Sequence, residues 1–143
     1  MTVDSPLIMS LQVEIAAPAE PHVDWSIGYA PEPDESGNRF LLAHLHVATG
    51  DGTADIDVSG VLQGDNAGAL LEESEIVTFE RQLDSVASLN LLYFTARTAA
   101  LGALGLIESR PEIPTSAPKA RLARLVRADG VEASHQTSEP AEA

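Results

Sequence analysis

The chain has no cysteine, so disulfides, thiolate zinc sites and a cysteine nucleophile are all excluded. Bases are scarce in its first 80 residues, where Arg39 stands alone against 15 acids. Residues 81–143 carry seven of each sign and cancel, so the net charge of −14 rests on the N-terminal half. Such a surface repels nucleic-acid backbones and anionic membranes and steers basic protein partners toward itself. Plain solubility accounts for it equally well.

Catalytic signatures are missing too. There is no GxSxG, P-loop, GxGxxG or HExxH. Acids are plentiful, yet nothing marks one as buried or paired, so no catalytic residue is assigned. The N-terminus MTVDSPLIMSLQVEIAAPAEP has no basic n-region and carries Asp4, Glu14 and Glu20. It does not read as a signal peptide, and the expectation is a cytoplasmic protein.

What is present suits one domain with a modest core, residues 1–128, followed by a polar, small-residue tail, 129–143, expected to be disordered. Leu7–Ala16 alternates loosely and reads as a first strand. His22–Tyr29 reads as a second, with Val23, Trp25 and Ile27 on one face. Trp25 and Tyr29 are candidate stacking residues, although strand aromatics more often serve core or interface. PEPDESGN, residues 31–38, is a turn-rich loop.

Arg39–Thr49 and Ala54–Gln63 predict a hairpin, with Asp51-Gly52 central in a type I′ turn. That register sets Leu41, Ala43, Leu45 and Val47 opposite Leu62, Gly60, Val58 and Ile56 on a core face. The other face pairs Ala48 with Asp55, His46 with Asp57, His44 with Ser59, Leu42 with Val61 and Phe40 with Gln63. A slip of one residue would set Val47 against Asp55 and Leu45 against Asp57, so the pattern chooses its register.

Ala69–Val77 is ambiguous, Phe79–Ser88 reads as a short helix, and Leu89–Ile107 is a long helix apolar nearly all round. Its length raises the membrane question. Arg97 at its centre would cost roughly 2.5–3.5 kcal/mol at mid-bilayer, and no basic cluster flanks it. Membrane insertion is therefore not expected. Gly102 and Gly105 fit a close backbone neighbour or a helix end. Arg110–Pro118 must be extended, and Lys119–Arg127 is a short basic amphipathic segment. Strands followed by helices describe an α+β domain, a four-stranded antiparallel sheet with two C-terminal helices on one side.

His44-x-His46 places two imidazoles on one strand face with Asp57 opposite, the ingredients of a two-His, one-carboxylate metal site and hence of a metal-dependent enzyme. An ordinary cross-strand His–Asp pair is the plainer reading, and no metal or other cofactor is assigned.

Two stretches together resemble the SecB family of protein-export chaperones. Asp55-Ile56-Asp57-Val58-Ser59-Gly60-Val61-Leu62 is similar to that family's fourth strand, with Leu62 where an aromatic is usual. Leu91-Leu92-Tyr93-Phe94-Thr95-Ala96-Arg97, followed by Leu104, looks like the start of its long helix, with Phe94 and Thr95 in place of proline and tyrosine. Pro111-Glu112-Ile113-Pro114 and Pro118 resemble the extended segment after it. The aromatic-rich N-terminal segment is reduced to LQVEIAAPAEP and the glycine pair after the helix is absent. The match spans Leu11–Leu125.

The resemblance implies a holdase that keeps extended, non-native polypeptide in apolar grooves. It also implies a homotetramer built as a dimer of dimers. Asp55 matches the acidic residue that helps contact a basic translocation ATPase, and Asp57 is its same-face neighbour. The hairpin's apolar far end supplies the expected client groove: Phe40, Leu42, Val61 and Leu62. Leu89, Leu92, Tyr93, Ala96, Ala100 and Ala103 are the expected oligomer interface. Relatives serve antitoxins, so the client is an exported protein or one dedicated partner. The alternative is a small acidic adaptor, phage-encoded or from a toxin–antitoxin locus, that binds one specific partner.

Overall fold

Four runs of alternating or β-rich sequence form an antiparallel sheet in a computed structural model that describes residues 1–15 and 20–126. They are β1 (Thr2–Ile15), β2 (His22–Tyr29), β3 (Arg39–Ala48) and β4 (Gly52–Gln63). The helices α1 (Ile76–Asp84) and α2 (Asn90–Leu106) follow, then a short strand, β5 (Arg121–Arg124). Strand order is β1-β4-β3-β2-β5, with β5 parallel to β2 and the other pairs antiparallel. The architecture is the expected α+β one, except that the sheet has five strands rather than four. The tail beyond Asp129 lies outside the described residues.

Boundaries moved where side chains override local pattern. β1 starts at Thr2 instead of Leu7, because bulges between Asp4 and Leu7 and between Ile8 and Ser10 let the strand continue through Ser5-Pro6. Each bulge breaks the alternation that would have marked the strand. Ser5 takes φ 56°, and its N–H is held by the Asp4 carboxylate at 2.7 Å. α1 starts at Ile76, three residues before Phe79, after a single 3-10 turn at Glu73–Glu75.

The hairpin closes two residues out of the expected register. Ala48 pairs with Thr53, His46 with Asp55, His44 with Asp57, Leu42 with Ser59 and Phe40 with Val61. A two-residue slip leaves every side chain on its expected face, so the hydrophobic pattern could not tell the two registers apart. Thr49 decides between them. Its Oγ1 accepts the N–H groups of Asp51 and Gly52 at 3.0 and 3.1 Å, and its own N–H donates to the Gly52 carbonyl at 2.8 Å. Gly50 and Asp51 thus become the central pair. Neither Asp51 nor Gly52 has the positive φ that a type I′ turn with those two at its centre demands.

The helices cover one sheet face. Trp25, Ile27 and Tyr29 of β2, Leu41, Ala43, Leu45 and Val47 of β3, and Ala54, Ile56, Val58 and Leu62 of β4 are buried beneath them. α2 packs over Gly60, where a Cβ would stand 2.8 Å from Leu92 Cδ2 and would displace the end of that side chain. α1 packs through Phe79, whose ring lies 5.1 Å from that of Tyr29. Tyr29 also donates to the Glu80 carboxylate at 2.6 Å.

Arg39 is fully buried beside them. A buried charge is tolerated when its donors are taken up. Its guanidinium donates to the carbonyls of Ala30 at 2.7 Å and Ala67 at 2.9 Å and also to that of Ala69, and it stacks over Phe79 at 5.1 Å.

Candidate functional site

The sheet face turned away from the helices carries two zones. Near the hairpin turn it is polar. His44 Nδ1 lies 2.7 Å from Asp57 Oδ1, His44 Nε2 3.1 Å from Asp55 Oδ1, and His46 Nδ1 2.7 Å from Asp55 Oδ1. Ser10 of β1 donates to Asp57 Oδ2 at 2.7 Å. Partial burial pushes the Asp57 carboxyl up, but the hydrogen bonds from Ser10 and His44 and the charge of His44 outweigh it, and its pKa lies below the ordinary value. His22 continues the cluster, with its ring 5.3 Å from that of His46 and its Nε2 3.5 Å from Asp24.

This arrangement is a chain of hydrogen bonds rather than a gathering of ligands. His44, His46 and Asp57 do not converge: His46 faces Asp55, and Asp57 faces His44 and Ser10. Among the described residues no group of three or more His, Cys, Asp or Glu could hold a metal ion. The two aspartates expected to meet a basic partner are side by side, half-exposed, and already engaged by histidine.

The second zone is the apolar far end. Phe40 is 44 % exposed and stands opposite Val61, while Leu42 is half-buried and stands opposite Ser59. The fourth residue expected in that groove is not there. Leu62 is fully buried on the helix side, because strand alternation sends it opposite to Val61.

The expected interface stripe of α2 is also spent inside the protomer. Leu89, Leu92, Tyr93, Ala96, Ala100 and Ala103 are all buried, with the alanines letting the helix lie close on the sheet. Tyr93 meets Trp25 edge-on at 5.2 Å. The free face of α2 is the opposite one, where Leu91, Phe94 and Leu106 are exposed and no atom lies within 4 Å of where a Cβ on Gly102 or Gly105 would be. On the sheet-edge strand β1, Leu7, Ile8, Met9, Leu11 and Ile15 are exposed as well, Ile15 by 80 %. Register places Ile8, Leu11 and Ile15 on the helix side of the sheet. This is the largest exposed apolar set of the described chain, and sequence reasoning passed over it. The signal was the unbroken LIM run, which a half-buried strand does not require.

Two of the clefts beside α1 face residues 117–122. One, of about 530 Å³, lies between the α1–α2 corner and residues 117–120, with Trp25 at its floor. The next, of about 320 Å³, is lined by Val77, Glu80, Arg81 and Asp84 on one side and by Lys119, Ala120 and Leu122 on the other. No helix among the described residues is long and apolar enough to cross a membrane.

No family model matches the sequence, and no curated protein does. The fold does find a counterpart. The Rv1957 SecB-like chaperone of Mycobacterium tuberculosis, in complex with a ChAD peptide from the Rv1956 HigA1 antitoxin, superposes with a TM-score of 0.52 at 12 % sequence identity. The match covers 82 % of this chain and 87 % of that one. The chain therefore shares the α+β fold of a SecB-like chaperone.

Proposed function

We propose that the protein is a SecB-like chaperone that holds an extended, non-native polypeptide against its apolar surfaces. The observation that carries this reading is the shared fold of a SecB-like chaperone bound to an antitoxin peptide, over 82 % of the present chain. The exposed apolar residues of β1 support it, since exposed apolar patches mark interaction sites. Phe40, Leu42 and Val61 offer a second apolar contact on the outer sheet face. Holding a client requires apolar contact and free backbone groups and no catalytic residue.

A dedicated client, such as an antitoxin, fits better than a role in export. Asp55 would be the contact for a basic translocation ATPase, with Asp57 beside it, yet Asp55 already meets His44 and His46. Self-association, as a cytoplasmic dimer of dimers, would use the free face of α2, which leaves β1 to the client. The test is suppression of aggregation of a chemically unfolded protein, together with solution mass. Suppression by an oligomer is the expected result. A monomer without effect on aggregation would end the proposal.

A further inference from the structure

β5 is an unusual fifth strand. It spans four residues and lies parallel to β2, the less stable pairing. It buries little, with Leu122 half-buried and Arg121, Ala123 and Arg124 exposed. Leu122 packs against the rim of the core, and a second aliphatic contact comes just after the strand. Leu125 places Cδ2 2.3 Å from where a Cβ on Gly28 would stand, and the Leu125 N–H donates to the Tyr29 carbonyl at 2.9 Å. The notch exists because Gly28 has no side chain, and it opens beside Leu42, the register partner of Gly28 in β3. Backbone pairing plus one aliphatic peg is how an extended peptide joins a sheet edge.

We propose that the β2 edge is a binding site for an extended basic segment of another polypeptide, and that β5 is its displaceable intramolecular occupant. This rests on the client-binding reading above and names the subsite. The occupant shows the chemistry that the site accepts: a strand with an aliphatic side chain at the Leu125 position and bases around it, as Lys119, Arg121 and Arg124 are here. The acidic N-terminal half favours such a segment, and Glu80 and Asp84 of α1 line the cleft that Lys119 and Leu122 close from the other side. Because β5 is tethered, a client must displace it. The apparent affinity falls by the fraction of time for which the edge is open.

The test uses the full chain and a fluorescein-labelled peptide, Lys-Ala-Arg-Leu-Ala-Arg-Leu-Val, which copies residues 119–126. Leu125→Asp withdraws the tethered peg and leaves the notch. It should bind the peptide about tenfold or more tighter than the unaltered chain. A peptide with aspartate in place of its second-to-last residue should not bind. Gly28→Val should abolish binding, and since that variant alters the sheet itself, amide exchange of β2 in Leu125→Asp is read as well. The peptide should slow it. Equal affinity for the unaltered chain and Leu125→Asp, or no protection of β2, overturns the strap even if the protein suppresses aggregation. Loss of aggregation suppression in both proteins overturns the client-binding reading itself.

Discussion

Tyr93 donates its hydroxyl hydrogen to the Pro114 carbonyl at 2.5 Å, and Arg97, one turn further along α2, donates Nε to the same oxygen at 3.0 Å. The charge that argued against a bilayer thus fastens the proline-rich segment to the helix. Arg97 also reaches the Ile113 carbonyl, and Ile113 is buried. Tyr93→Phe should cost about 1 kcal/mol, as a lost hydrogen bond with one partner left behind does. Arg97→Ala should speed amide exchange in residues 111–118 while leaving the sheet unchanged.

The same tyrosine sets an alkaline limit. Burial pushes the Tyr93 phenol above its ordinary value of 10.0, and Arg97 only partly offsets this. A pKa raised in the fold stabilises the protonated form. That contribution is complete below the unfolded value and lost as pH rises through the folded one. Tyr93→Phe should therefore be less stable than the unaltered chain at pH 8 and should close the gap above pH 10, as read by urea midpoints.

At the acid end, Asp57 behaves in the opposite sense. Its pKa is lowered in the fold, so its contribution is present above the unfolded value and disappears as pH falls through the folded one. Its side chain is 35 % exposed, and solvent screening keeps the effect small. Asp57→Asn should cost about 1 kcal/mol at pH 7 and nothing near pH 2. Chemical denaturation across that range measures both.

Arg39 is the single base of the acidic half and holds three carbonyls that have no other described partner. Arg39→Met keeps the stem over Phe79 and abandons those carbonyls. The expected loss is about 3 kcal/mol, a fall of about 2 M in the urea midpoint.

Placement on α2 separates core from interface. Ala100→Glu buries a charge against the sheet and should unfold the protomer, whatever the oligomeric state. Phe94→Glu lies on the exposed face. It should leave the circular dichroism spectrum unchanged and lower the solution mass. An unchanged mass would place the self-association surface elsewhere.

Much of this was legible beforehand, and the misses share a cause. Alternation located β2, β3 and β4 and their core faces, and 3.6-residue spacing located α2. Periodicity reports which side of an element is buried, not what buries it. The stripe Leu92–Ala96–Ala100 was thus rightly read as covered and wrongly given to a second copy. Register escaped for a similar reason, since Thr49 acts through its hydroxyl and leaves no periodic trace. Over β5 the sequence showed an amphipathic segment and no strand alternation, because an edge strand held by backbone bonds needs no apolar face. In the candidate groove, Phe40, Leu42 and Val61 fell where alternation sent them, and Leu62 failed by the same rule. It is adjacent to Val61 and must point the other way.

Pairing of β1 with β4 also governs the order in which the chain can fold. Thr2 must find Gln63 and Ile15 must find Gly52, whereas β3 meets β4 across a single tight turn. On the ribosome the first strand emerges long before its partner and waits, with Leu7, Ile8, Met9 and Leu11 in water. Loop-closure cost makes such distant pairing late, after the hairpins have formed. Substitutions in β1 should then alter the rate of unfolding and hardly touch the rate of folding.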